Sequence, residues 1–238
     1  MQGTSLHDYT ESCPLLTPSR FSLRMATIHI YNRGVEKRII YKDTQDYGVF
    51  LRYLKDYLSP PPDLKDLKTI INVQGTSFKG VSRQPKNYHQ KIVLIAYCLM
   101  PNHFHLLLQQ KENRVLENFM RSLITRYCIY FNKKYDRVGP LFQGIYKAVL
   151  ITEDSHLLHL SRYIHLNPSE FTKSLINAYS SYPDYLKLRN TVWLNPNPVM
   201  KFFENKVIPE IKKFNKYKDF VEKYRKDSTQ TLRKLILE

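Results

Sequence analysis

An apolar run that passes into two alternating histidines constrains the fold of this chain more than any other feature. Ile92-Val93-Leu94-Ile95-Ala96 leads into Tyr97-Cys98-Leu99-Met100-Pro101-Asn102-His103-Phe104-His105-Leu106-Leu107-Leu108. The run is too short and too rich in β-formers for a membrane helix, so residues 91–109 read as the histidine strand. Alternation along a strand puts His103 and His105 on one face, roughly 6–7 Å apart, with Phe104 and Leu106 turned into the core. Two imidazoles on one sheet face form half of a metal site, provided another element supplies the rest.

The flanking sequence supplies elements that can pack on such a strand. Residues 22–33 alternate, with Ala26, Ile28 and Ile30 on one face and Thr27, His29 and Tyr31 on the other. That is the pattern of a half-buried strand, on which His29 either lines the histidine site or faces solvent. A helix over 46–58 follows, carrying Val49, Phe50, Tyr53, Leu54 and Tyr57 at helical spacing, with Asp43 or Thr44 to cap it. Ser59-Pro60-Pro61-Pro62 stops it, and 59–90 reads as an insertion. Leu116, Met120, Leu123 and Tyr127 mark a helix over 113–135, and a strand is expected over 142–151. Thr152-Glu153-Asp154-Ser155 opens a helix that Asn167-Pro168 closes. This order predicts an α+β domain in which helices pack on an antiparallel sheet. A loosely held leader over 1–20 precedes a core over 21–185, and a basic helical extension fills 186–238.

The helix over 153–166 has one chemically notable face. His156, His159, Tyr163 and Asn167 share a quadrant, beside an apolar stripe of Leu157, Leu160 and Ile164. His165 lies almost opposite Tyr163. Docked through its leucines onto the histidine strand, this helix would bring Tyr163 and Asn167 near His103 and His105.

A net charge of +16 and a pI near 9.6 suggest a polyanionic partner. Nucleic acid is favoured over an anionic membrane, because no basic amphipathic anchor flanks an apolar stretch. Arg33, Lys37 and Arg38 follow the first strand, and Lys133, Lys134 and Arg137 close a helix. Lys212, Lys213, Lys216 and Lys218 crowd the extension, and interleaved tyrosines can stack on unpaired bases. Cys13, Cys98 and Cys128 form no metal-binding pair, which suits a reduced compartment. With no secretory signal and no apolar window long enough to span a bilayer, the chain reads as cytoplasmic, with no membrane partner.

Three blocks, Pro101–Leu108, Gly139-Pro140-Leu141-Phe142-Gln143-Gly144 and Arg162–Pro168, together resemble the REP-associated tyrosine transposases. These are single-tyrosine transposases with a His-hydrophobic-His motif. The likeness covers about 22–182, without the insertion. It implies a ferredoxin-like (RRM-like) domain that cuts and rejoins single-stranded DNA next to REP-like hairpins. It also implies His103 and His105 as ligands of Mg²⁺ or Mn²⁺, Asn167 as a third, polar ligand, and Tyr163 as the nucleophile forming a 5′-phosphotyrosine.

Rival readings stand beside it. A zinc site could be completed by His156 or His159, and Tyr127 competes with Tyr163 for the role of nucleophile. Asn167 precedes a proline at a helix end, where capping explains it nearly as well as ligation. A domesticated protein that binds DNA or RNA hairpins without cutting them would keep the same sheet. Whether the catalytic unit is a monomer or a homodimer exchanging helices stays open.

Overall fold

The histidine stretch is two strands rather than one. Pro101 and Asn102 form a tight turn that folds Ile92–Met100 (β4) back against His103–Gln110 (β5). Proline cannot donate to a ladder, so the apolar pattern runs on while the backbone reverses. The computed structural model describes residues 25–63, 68–73, 76–81, 86–205 and 209–223. The leader over 1–20 and residues 224–238 of the extension lie outside these.

Thr27–Arg33 (β1) pairs antiparallel with β5 on one side and with Lys147–Ile151 (β6) on the other. The sheet order is therefore β4-β5-β1-β6, all antiparallel between neighbours. Thr44–Leu58 (α1) connects β1 towards β4, and Val115–Lys134 (α2) connects β5 to β6. That is the ferredoxin-like arrangement, with both connecting helices on one sheet face. Asp43 caps α1 by accepting the Asp46 amide, and the helix ends ahead of the prolines as its sequence predicts. Within the insertion, Lys68–Val73 (β2) and Thr76–Val81 (β3) form a separate two-stranded hairpin. β6 starts later than its sequence pattern suggests. Phe142 makes only an isolated bridge to Gly34, and Gly144 turns the chain with φ +70°.

The sheet is covered on both faces. Ile28, Ile30, Phe104, Leu106 and Leu108 pack with α1 and α2, whose Phe50, Leu54, Met120 and Tyr127 are buried there. Asp154–Leu166 (α3) lies over the opposite face, with Leu157, Leu160 and Ile164 against Ala96, Cys98 and Leu107. β1 is consequently buried on both sides, and His29 is 1% exposed rather than facing solvent. A β-bulge between Leu94 and Ala96 turns both Ile95 and Ala96 toward α3.

The chain beyond α3 seals this second core. Tyr182–Tyr185 (α4), Asn197–Asn205 (α5) and Tyr217–Glu222 (α6) bury Tyr182, Phe202, Phe203, Tyr217 and Phe220 there. The outer edge of β4 is also protected. Leu99 donates to the Tyr179 carbonyl, Ser181 to that of Tyr97 and Asn195 to that of Leu94.

Candidate active site

Cross-strand pairing builds the site from single rows. Lys147, Tyr31, His105 and Cys98 stand opposite one another on β6, β1, β5 and β4. Arg33 and His103 form the next row toward the open end of the sheet. Period-two alternation puts His29, Tyr31, His103 and His105 on the face that α3 covers. The His103 and His105 rings meet nearly perpendicular, with centroids 5.1 Å apart. Tyr163 comes down from α3 edge-on to His105, at 5.4 Å and 85°. Both come from one chain.

Each of the two histidines is held through Nδ1. His103 Nδ1 donates to Asn102 Oδ1 at 2.7 Å, while Asn102 Nδ2 reaches the Lys37 carbonyl. His105 Nδ1 shares a hydrogen bond with His29 Nε2 at 2.9 Å, and the two rings stack at 5.1 Å. Tyr31 stacks on both His29 and His105. Burial drives the His29 pKa down to about 3, helped by nearby His156. It holds His105 well below the usual histidine value, with His29 and His103 adding to the effect. Both rings are neutral at physiological pH, the form in which imidazole ligates metals.

His105 Nε2 is buried without a hydrogen-bond partner. A buried orphan acceptor is costly, by about 1–3 kcal/mol, and calls for an occupant. A divalent cation fits this donor, because metal-bound histidines characteristically engage their other nitrogen with a neighbour. Among the described residues, no group of three or more His, Cys, Asp or Glu side chains is arranged to hold a metal. Among the described residues, an amide oxygen is the kind of group that could supply a further ligand. Asn167 is 6% exposed at the end of α3, where its Nδ2 donates to the Tyr163 carbonyl at 3.0 Å. The capping role expected of it is thus present, and Oδ1 is the end that could ligate.

Of the competing residues, His156 lies near His29 while Tyr127 and His159 are placed elsewhere. Tyr127 lies in the α1–α2 core and donates to the Ile40 carbonyl at 2.6 Å, and burial raises its pKa strongly. His159 turns to Arg162, its Nδ1 2.7 Å from the guanidinium, and toward Phe220. His165, opposite Tyr163, bonds through its two nitrogens to Tyr217 and Ser181. The helix start also differs from its sequence signal, since Glu153 takes the cap position without a side-chain bond.

The basic residues separate into two groups. Arg33 is exposed at the end of β1 opposite His103, Lys37 is exposed and Arg38 half-buried on the loop that follows, and Lys133 is exposed at the end of α2. Arg137 donates to Asn132 and lies over Phe131. Lys134 departs from the surface role expected of it. Its ammonium is 2.8 Å from buried Asp46 and 2.7 Å from Asp43, so its charge is neutralised within the fold. Sequence reasoning missed Asn102, Tyr31 and Lys147 as site residues; strand pairing places Tyr31 and Lys147 beside the histidines, while Asn102 directly precedes His103 in the turn.

Residues 77–167 match the family model for IS200-like transposases. Through this stretch the chain is similar to the IS200-like transposases. The match begins inside β3, within the apparent insertion, and includes both histidines and Tyr163. A solved REP-associated tyrosine transposase bound to a REP hairpin is similar at a TM-score of 0.47 and 12% identity. That likeness covers 71% of this chain and 83% of the other. Curated proteins give no match. Among the described residues no helix is long and apolar enough to cross a membrane.

Proposed function

We propose that this protein is a transposase that cuts and rejoins single-stranded DNA beside REP-like hairpins, with Tyr163 as the nucleophile. His103, His105 and Asn167 are the residues that would hold Mg²⁺ or Mn²⁺. The reading rests on the approach of Tyr163 to His105, ring to ring at 5.4 Å, beside a buried imidazole nitrogen that lacks a partner.

Tyr163 Oη attacks the phosphorus. As the O–P bond forms, the bond from phosphorus to the 3′-oxygen breaks and the phenolic proton departs. The leaving oxygen takes up a proton and ends as a 3′-hydroxyl, opposite a 5′-phosphotyrosine. One phosphodiester has replaced another, so attack by a 3′-hydroxyl reverses the step without a nucleotide cofactor. A divalent metal, when bound, would polarise the scissile phosphate and offset charge in the transition state. The chain's own part is positional. α3 fixes the tyrosine, β5 fixes the imidazoles, and Arg33, Lys37, Arg38, Lys133 and Arg137 offer charge for the flanking phosphates.

The test is a covalent adduct. Oligonucleotides carrying hairpins from beside the gene are incubated with the protein and Mg²⁺ or Mn²⁺, then denatured. A protein–DNA species that survives denaturation is expected for wild type and should vanish in Tyr163→Phe. Hairpin binding with no adduct in either protein would favour the non-cleaving binder instead.

A further inference from the structure

We infer that His29 is a positioning residue for metal binding, acting by dictating which nitrogen of His105 carries the proton. The inference rests on the proposed role of His103 and His105 as metal ligands and adds a residue to it. The bond between His29 Nε2 and His105 Nδ1 is 2.9 Å long and fully buried. Between two neutral imidazoles, one nitrogen of that pair must donate and the other accept. The two polarities have opposite consequences for the site. If His29 Nε2 donates, His105 carries its own proton on Nε2, and that nitrogen cannot bind a cation. If His105 Nδ1 donates, Nε2 presents a bare lone pair, and His29 carries its proton on Nδ1.

Two observations select the second polarity. His105 Nε2 is buried and has no hydrogen-bond partner, so a proton there would be a buried orphan donor, which is rarer than an orphan acceptor. His103, its neighbour on the same face, is already fixed in the equivalent state. Asn102 Oδ1 can only accept, so His103 Nδ1 donates, and in the neutral ring that leaves Nε2 as the bare nitrogen. His29 and Asn102 are thus counterparts from different elements, one on β1 and one in the β4–β5 turn. The Nε2–H tautomer is the one a histidine side chain favours in water, so His29 works against the default. Stacking of Tyr31 on both rings limits rotation of either imidazole out of this geometry.

The experiment uses the full chain, with histidine ring nitrogens observed by long-range ¹H–¹⁵N correlation, alongside Mn²⁺ titration followed by electron paramagnetic resonance. In metal-free wild type, His105 is expected as the Nδ1–H tautomer. Mn²⁺ should broaden the His103 and His105 signals first. His29→Gln keeps an acceptor near the position of Nε2 and should bind Mn²⁺ within a few-fold of wild type. His29→Leu removes the acceptor. It should shift His105 toward Nε2–H and weaken Mn²⁺ about 10–100-fold, the range for lost outer-shell partners. Should His29→Leu fail to fold, the wild-type tautomer and His29→Gln still decide the matter. A wild-type His105 protonated on Nε2, or wild-type Mn²⁺ affinity in folded His29→Leu, would overturn the inference. Wild type that binds no Mn²⁺ while His105 is Nδ1–H would sink the metal reading itself, and the positioning role with it.

Discussion

Tyr163 rests edge-on against His105 because α3 is clamped from behind by the C-terminal part of the chain. His165, almost opposite Tyr163 on α3, bonds Tyr217 Oη at 2.7 Å and Ser181 Oγ at 2.7 Å. Tyr217 in turn donates to Ser161 Oγ at 3.1 Å, and the Arg162 guanidinium lies 4.3 Å from the Phe220 ring. A face of the helix remote from the chemistry thereby fixes the face that carries it. Such a buried polar network is costly when broken, because each member left behind is unsatisfied.

Tyr217→Phe should therefore cost about 1–3 kcal/mol, since it strands His165 Nδ1, while Ser161 Oγ keeps its bond to the Leu158 carbonyl. Adduct formation should fall further than hairpin binding, measured where the variant is still folded. Equal losses in both would mean that α6 serves stability alone.

Tyr127→Phe separates the two candidate tyrosines. Its hydroxyl satisfies the buried Ile40 carbonyl, so its loss should lower stability by roughly 1–3 kcal/mol. Adduct yield per folded molecule should be unchanged. A missing adduct in this variant, with Tyr163→Phe still reactive, would reverse the assignment of the nucleophile.

Much of this was legible from the pattern of residues. Alternation placed His103 and His105 on one face, and helical spacing placed Tyr163 and Asn167 beside a leucine stripe that packs on the sheet. The blind spots were long-range. An apolar run buried on both faces gives no sign of where it reverses, so the turn at Pro101-Asn102 read as continuous strand. The partner of His29, and the row joining Lys147 to Tyr31 and His105, depend on strand register. Lys134 looked like any surface lysine, because its partners Asp43 and Asp46 lie far away in the chain.

Asp46 predicts the acid limit of stability. It is fully buried and accepts from the Lys42 amide, Tyr130, Tyr135 and Lys134. Burial pushes its pKa up, but those donors outweigh it and hold the carboxyl below its ordinary value. Its stabilising contribution is complete above the unfolded value, near pH 4, and is lost as pH falls through the lower folded one. Asp46→Asn should cost roughly 3 kcal/mol at neutral pH, by leaving Lys134 and its neighbours with a weaker partner. It should also flatten the acid limb of a denaturation profile. An acid limb unchanged from wild type would place the responsible carboxyl elsewhere.

Lys147 offers the sharpest test of where DNA runs. It is exposed on β6, directly across from Tyr31 and therefore in the same row as His105, with its ammonium 5.8 Å from the Tyr31 ring. A strand threaded toward the histidines would bring a phosphate past it. Lys147→Ala should weaken single-strand binding regardless of base sequence. The plot of log affinity against log salt should become shallower by about 0.7, the value for one phosphate contact on a single strand. Stability should hardly change, because the side chain is solvated and its contact with the Tyr31 ring is at the far limit of a cation–π interaction. Lys134→Ala is the contrasting control: it should lower stability by uncovering buried Asp46 and leave the salt slope as it was. If Lys147→Ala changes neither affinity nor slope, DNA does not approach the histidines across β6, and the end of β1 that carries Arg33, with Lys37 beyond it, becomes the entry side.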